Sequence, residues 1–225
     1  MKNLTLLIPV KKEKESLKKF LNILDKYNYK KILIIDKFDN SDYNFLKKFD
    51  NIKYSKSKKK GYGAALIEGI NQIKTKYFCI INADGSMDPK EIKYMMNLTN
   101  KNSFIFGSRY LKNAGSDDDT IITYLGNKIF SLIGNIFFKL KISDILYTYI
   151  IGDTKFTKSL NLKSEDFRIC VELPIKVHRK GYNYTDYGCY ELKRIGGKKK
   201  VNAFKDGFLI LSKMISMFFS NNFKD

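Results

Sequence analysis

The chain has 225 residues, 44% of them hydrophobic, enough to bury a core of its own without disulfide staples. Its three cysteines, Cys79, Cys170 and Cys189, stand apart with no CxxC pair, and a single histidine, His178, accompanies them; this excludes a zinc-scaffolded domain and predicts buried, reduced thiols. A formal charge of +19 attracts nucleic acid, anionic membranes and phosphate-bearing substrates alike, but lysines are scattered throughout, so the sign is informative only at residues 56–60 and 193–200.

The apolar run over residues 4–10 predicts a first strand rather than an export signal, since a lysine cluster follows it with no small-residue cleavage site. Residues 16–27 predict a helix with Leu17, Phe20, Leu21 and Leu24 on one face. Residues 31–36 predict a second strand ending in Asp36, 42–49 a short helix, 52–54 a brief strand and 63–74 another helix. A fourth strand ends near residue 81, Pro89 opens a helix, and residues 103–107 predict a fifth strand. This alternation is the pattern of βαβ units around a mostly parallel sheet, an α/β fold.

The second half changes character. Residues 120–140 predict a long helix with Ile122, Leu125, Ile129, Leu132, Ile133 and Ile136 at helical spacing, and residues 203–219 repeat the pattern with Phe204, Phe208, Leu211, Ile215 and Phe218. Such stripes are expected to face the core, with interfacial membrane binding as the alternative. No segment runs to about 18 uninterrupted apolar residues, so no spanning helix is expected.

Residues 77–89, YFCIINADGSMDP, carry the most information. An apolar run suited to a strand buried on both faces ends at Asn82-Ala83-Asp84, and Asp88 follows. One reading is an Asp-Gly turn before a helix. The other is a carboxylate at the carboxyl end of a parallel strand, where open α/β sheets bind ligands and where Mg²⁺ or Mn²⁺ can bridge protein to a nucleotide diphosphate. Context favours the second. Strand one delivers Pro9 and Glu13, strand two delivers Asp36, Asp39 and Asp42, and strand five delivers Gly107-Ser108-Arg109 to the same sheet edge.

In this order the motifs IPVKKEKESL, ILIIDKFDNSD, KKGYGAALIEGI, INADGSMDPKEI and FGSRYLKNAG resemble glycosyltransferase family 2 of GT-A fold, over nearly the whole length. Within it they are similar to the dolichyl-phosphate mannose synthase-like branch of polyprenyl-phosphate glycosyltransferases. KISDI and RIGGKKKVN fall where that family has a short Asp-containing segment and a basic loop.

The resemblance implies a role for each matching residue. Pro9, Glu13 and Ala83 would line the donor site, and Asp36 would accept hydrogen bonds from base or ribose. Lys60 and Gly61 would meet the nucleotide diphosphate, with Gly61 and Gly63 permitting close backbone approach. Asp84, helped by Ser86 or Asp88, would hold Mg²⁺ or Mn²⁺. Arg109 would clamp a phosphate, and Arg194 with Lys198, Lys199 and Lys200 would close over donor or acceptor phosphates. Asn82, Lys37 and Lys11-Lys12 depart from the family pattern, and ILYTYI at residues 145–150 replaces its acceptor-side segment. Outside the pattern, Glu172 reads as a general base toward a hydroxyl acceptor or as an ordinary helix carboxylate. The aspartates of GSDDDT, residues 115–120, read as helix caps with one left over for a substrate or metal.

The expected function is a metal-dependent, inverting transfer of a sugar from a UDP- or GDP-linked donor to a polyprenyl phosphate or cell-surface glycan precursor. The expected location is cytoplasmic, with peripheral contact to an anionic membrane; nucleic acid is not an expected partner. The alternative is a catalytically weakened scaffold that binds membranes or nucleic acid through its basic charge. A nucleotidyltransferase is disfavoured because no glycine-rich loop follows strand one. Residues 1–202 are expected to form the transferase domain, with a nucleotide-binding half (1–110) and an acceptor half (111–202), followed by an amphipathic helix over residues 203–225.

Overall fold

The computed structural model describes residues 3–197 and 202–220. In chain order the elements are β1 (Leu4–Val10), α1 (Lys14–Asp25), β2 (Lys30–Ile35), β3 (Ile52–Lys56), α2 (Tyr62–Gln72), β4 (Tyr77–Ile80), α3 (Glu91–Leu98) and β5 (Phe104–Ser108). Then follow β6 (Gly115–Ser116), α4 (Ile121–Phe138), β7 (Ile150–Asp153), α5 (Thr154–Ser159), α6 (Ile169–Arg179), β8 (Tyr184–Gly188), β9 (Tyr190–Glu191) and α7 (Ala203–Ser220). The helix expected over residues 42–49 is a single 3-10 turn, Asn44–Lys48.

Seven strands form one sheet in the order β3-β2-β1-β4-β7-β5-β8. The pairs β1–β2, β1–β4, β2–β3 and β5–β8 are parallel, whereas β7 runs antiparallel to both of its neighbours. Alternation along each strand splits the core into two layers. Leu7, Ile32, Ile34, Phe78, Ile80, Phe104 and Phe106 face α2, α6 and α7. Leu6, Ile8, Leu33, Ile35, Cys79 and Ile105 face α1 and α3. Helices therefore cover both faces, which is why β1 and β4 read as unbroken apolar runs.

The two long helices depart from expectation. Their apolar stripes were expected in the core, yet on α4 the side chains of Ile122, Leu125, Ile129, Leu132 and Ile136 are exposed, and on α7 those of Phe204, Phe208, Leu211, Ile215 and Phe219 are exposed. By length and composition α4 is apolar enough to cross a membrane, and only 17% of it is buried. Its polar side faces the protein instead. Asn127 donates to the Tyr110 hydroxyl, the Ser131 hydroxyl accepts from the Ile145 N–H, and Asn135 both donates to and accepts from the Ile142 backbone. Periodicity shows that a helix has an apolar face; it does not show which way that face points.

Candidate active site

Three parallel strands end at one edge of the sheet, and the chain leaving each of them lines a single cleft of about 590 Å³. From β1 come Pro9, Val10 and Lys11, and α1 starts beside them with Glu13; β2 supplies Asp36, and β4 supplies Asn82, Ala83 and Asp84. Lys60, Gly61 and Tyr62 at the start of α2 close one side, and residues 165–168, Arg194 and the first turns of α7 complete the wall. Pro9, Glu13, Asp36, Lys60, Gly61, Ala83, Asp84 and Arg194, each singled out in the sequence, thus meet in one place.

Asp84 is 3% exposed and held in one orientation. Its Oδ1 accepts hydrogen bonds from the backbone N–H and the hydroxyl of Ser86, at 3.1 and 2.9 Å. Its Oδ2 lies 3.1 Å from a guanidinium nitrogen of Arg194, which also grips Asp118 at 3.1 Å. Burial alone would lower the Arg194 pKa, but Asp118 and Asp84 outweigh it and raise it. The loop that carries Arg194 is tied to the same corner through its backbone. Leu192 donates to the Ser86 carbonyl and Ile195 to the Asp84 carbonyl, while Gly85, at φ +77°, lies against the Ile195 side chain, which a Cβ there would push aside. Among the described residues no three His, Cys, Asp or Glu side chains form a ready-made metal cage. One oriented carboxylate opening on a cleft fits a hard cation that keeps waters and takes further ligands from a diphosphate.

Asp36 is also buried; it accepts from the Phe38 N–H and lies 3.6 Å from the Lys11 ammonium. The Asn82 amide oxygen accepts from the Tyr62 hydroxyl at 3.2 Å, and Tyr62 stacks on Phe167 at 5.1 Å between ring centres.

Other expected residues lie elsewhere. Arg109 does not line this cleft: it donates to both oxygens of Asp144, at 2.7 and 3.0 Å, and to Glu191 at 3.2 Å, with Asp119 at 3.5 Å. Burial works against its charge, but Asp144 and Glu191 raise its pKa far above the ordinary value. Glu172 is 1% exposed and does not line the cleft. Its carboxylate accepts the N–H groups of Lys163 and Ser164 and pairs with Lys176 at 2.7 Å. Of the metal set, Ser86 orients Asp84 from behind, and Asp88 accepts from the Lys90 N–H at the entry to α3. Lys198, Lys199 and Lys200 lie outside the described residues.

The aspartates before α4 are not its caps. Thr120 caps the helix in a reciprocal box with Thr123, while Asp117, Asp118 and Asp119 take Tyr190, Arg194 and Tyr110 as partners. Nor is the glycine pair of α2 reserved for a ligand. A Cβ on Gly61 or Gly63 would lie 2.1 Å from the carbonyl of Glu165 or Ser164, so these glycines admit the chain's own 164–166 segment. That segment and α7 are the walls sequence reasoning missed; the Gly61 and Gly63 spacing was the only local sign that something packs there.

A mostly parallel sheet with β7 reversed, acidic residues at the ends of β2 and β4 and a cleft between them define the GT-A class of nucleotide-sugar transferase. Residues 5–160 match the family model for glycosyl transferase family 2, and the chain belongs to that family. It is a glycosyltransferase. No curated protein sequence matches it. Among solved structures it is similar to glucosyl-3-phosphoglycerate synthase of Mycobacterium tuberculosis. In the complex with Mn²⁺, UDP and phosphoglyceric acid, the two are 10% identical over 96% of this chain and 78% of that one, with a TM-score of 0.73. The complex with Mn²⁺ and UDP-glucose gives 9% identity, the same coverage and 0.73, and the complex with UDP gives 10%, coverage of 100% and 82%, and 0.72. At such identity the likeness is one of fold.

Proposed function

We propose that the protein transfers a sugar from a UDP- or GDP-linked donor, with Mg²⁺ or Mn²⁺ held at Asp84, to a polyprenyl phosphate or a related cell-surface glycan precursor. The observation that carries this reading is the meeting of Asp36 and Asp84 in one cleft, flanked by the cations Lys11, Lys60 and Arg194. Asp36 would receive the base or ribose, and Lys60 and Arg194 would face the diphosphate. The metal would neutralise charge on the departing diphosphate. A phosphate acceptor is itself an anionic nucleophile and needs no strong base, which agrees with Glu172 being buried away from the cleft. The mycobacterial synthase, crystallised with Mn²⁺, UDP-glucose and UDP, lends the donor and metal assignments support from a shared fold.

The test is nucleotide release from a panel of UDP- and GDP-sugars with Mn²⁺ and a short polyprenyl phosphate. Asp84→Ala should lower the rate about 100-fold or more, a typical loss when charge stabilisation at the reacting phosphate is removed, with circular dichroism unchanged. Full activity in that variant would remove the metal assignment, and no release from any donor would overturn the reading.

A further inference from the structure

We infer that the exposed faces of α4 and α7 form one surface that seats the protein in the interfacial layer of an anionic bilayer. The two helices lie side by side and run in the same direction: Gly207 approaches Phe130, Met214 approaches Gly134, and Phe218 meets Phe137 and Phe138. Their apolar stripes are therefore neighbours. The side chains left outside are large, with Ile129 and Leu132 of α4 at 56% and 57% exposure and Phe208 of α7 at 72%. An apolar surface of this kind on a soluble protein marks a contact.

Insertion across the bilayer is ruled out by the other side of α4. Asn127, Ser131 and Asn135 are hydrogen-bonded into the globular body, and the Lys128 ammonium lies 4.7 Å from the centre of the Tyr110 ring, so one side of the helix stays fixed on protein. A helix fixed in this way lies in the interface plane with its free face toward the acyl boundary. Charge selects the bilayer over a second copy of the chain. α4 carries no acidic residue, α7 carries only Asp206, and exposed Lys139, Lys141 and Lys205 stand at the helix ends. Two copies of a chain with net charge +19 repel, whereas anionic headgroups attract each exposed lysine.

The orientation that results rests on the proposed function. α7 presents Lys205, Asp206 and Leu209 to the cleft and Phe204, Phe208 and Leu211 to the outside, so seating this face brings the cleft to the lipid surface. A lipid-borne acceptor would then reach the donor without leaving the membrane.

Co-sedimentation of the full chain with phosphatidylcholine vesicles, with and without phosphatidylglycerol, tests the surface, and light scattering of the free protein runs alongside. The expected result is a monomer that partitions onto phosphatidylglycerol vesicles, binds pure phosphatidylcholine at least tenfold more weakly, and loses the difference in the double variant Leu132→Glu with Ile215→Glu. The variant should keep the wild-type unfolding temperature and nucleotide binding. Equal partitioning of variant and wild type, no partitioning at all, or a dimer that the double substitution dissolves would overturn the inference. Nucleotide release from the UDP- and GDP-sugar panel with the short polyprenyl phosphate, in the absence of vesicles, separates the two proposals: its persistence without vesicle binding sinks the docking surface alone, and its absence with vesicle binding intact sinks the donor reading alone.

Discussion

Arg109 shows how far a motif carries and where it stops. The sequence places it at the end of β5, as it should, but its guanidinium is committed to Asp144 and Glu191, residues 35 and 82 positions away. No local pattern announces partners at that separation. Burial raises the Glu191 pKa despite the opposing pull of Arg109, so removing the cation would leave that buried carboxylate without its main counter-charge. Removing one partner of a buried pair leaves uncompensated charge and costs about 3–5 kcal/mol. Arg109→Met should therefore lower the unfolding temperature by on the order of 10 °C in calorimetry, while the folded fraction binds UDP or GDP as before. A variant with unchanged stability and lost nucleotide affinity would return Arg109 to the phosphate.

Glu172 is better understood through the elements it joins than as a group on α6. It receives two backbone N–H groups from the segment leading to residues 165–168, pairs with Lys176 one turn on, and lies 3.8 Å from Lys213 of α7. The segment that leads into the cleft wall, α6 and α7 thus share one carboxylate. Burial would raise its pKa, but the Lys176 ammonium and the Ser164 and Lys163 N–H groups hold it below the ordinary 4.5. A lowered carboxylate pKa contributes stability above the ordinary value and loses it as pH falls through the folded one. Glu172→Gln should unfold at a lower temperature at pH 7, and its gap to the wild type should close on acidification below that ordinary value. A gap that stays constant down to pH 3 would show that the ionic character of Glu172 is not the source. The apolar runs of β1, β2, β4 and β5 were legible because each is a local signal of a strand buried on both faces. Residues 164–168 and α7 were not, because their place in the wall depends on contacts made across the fold. The outward turn of α4 was hidden for another reason: its inward hydrogen bonds to Tyr110, Ile142 and Ile145 come from polar residues that look solvent-facing in the sequence.

The two core layers share one sheet, so the described residues are expected to unfold together, and the cysteines would report on it. Cys79, Cys170 and Cys189 are all buried, Cys79 in a strand between the layers, and burial pushes each thiol up, that of Cys170 to about 12. Buried thiols of this kind are inert. None of the three should react with a thiol reagent in buffer, and all should become reactive together across the denaturant transition; early labelling of Cys189 alone would mean that the β5–β8 edge opens by itself. The sheet order has a consequence for synthesis as well. β5 has β7 and β8 as its neighbours, and both follow it in the chain. On the ribosome β1, β2, β3 and β4 can pair as they emerge, but β5 waits as an unpaired strand until residues 150–153 arrive to run backward between it and β4. The middle of the sheet is therefore closed by the insertion of a reversed strand, β8 adds to the outer side of β5 only afterwards, and a nascent chain stalled near residue 110 would hold β4 with an open, apolar edge.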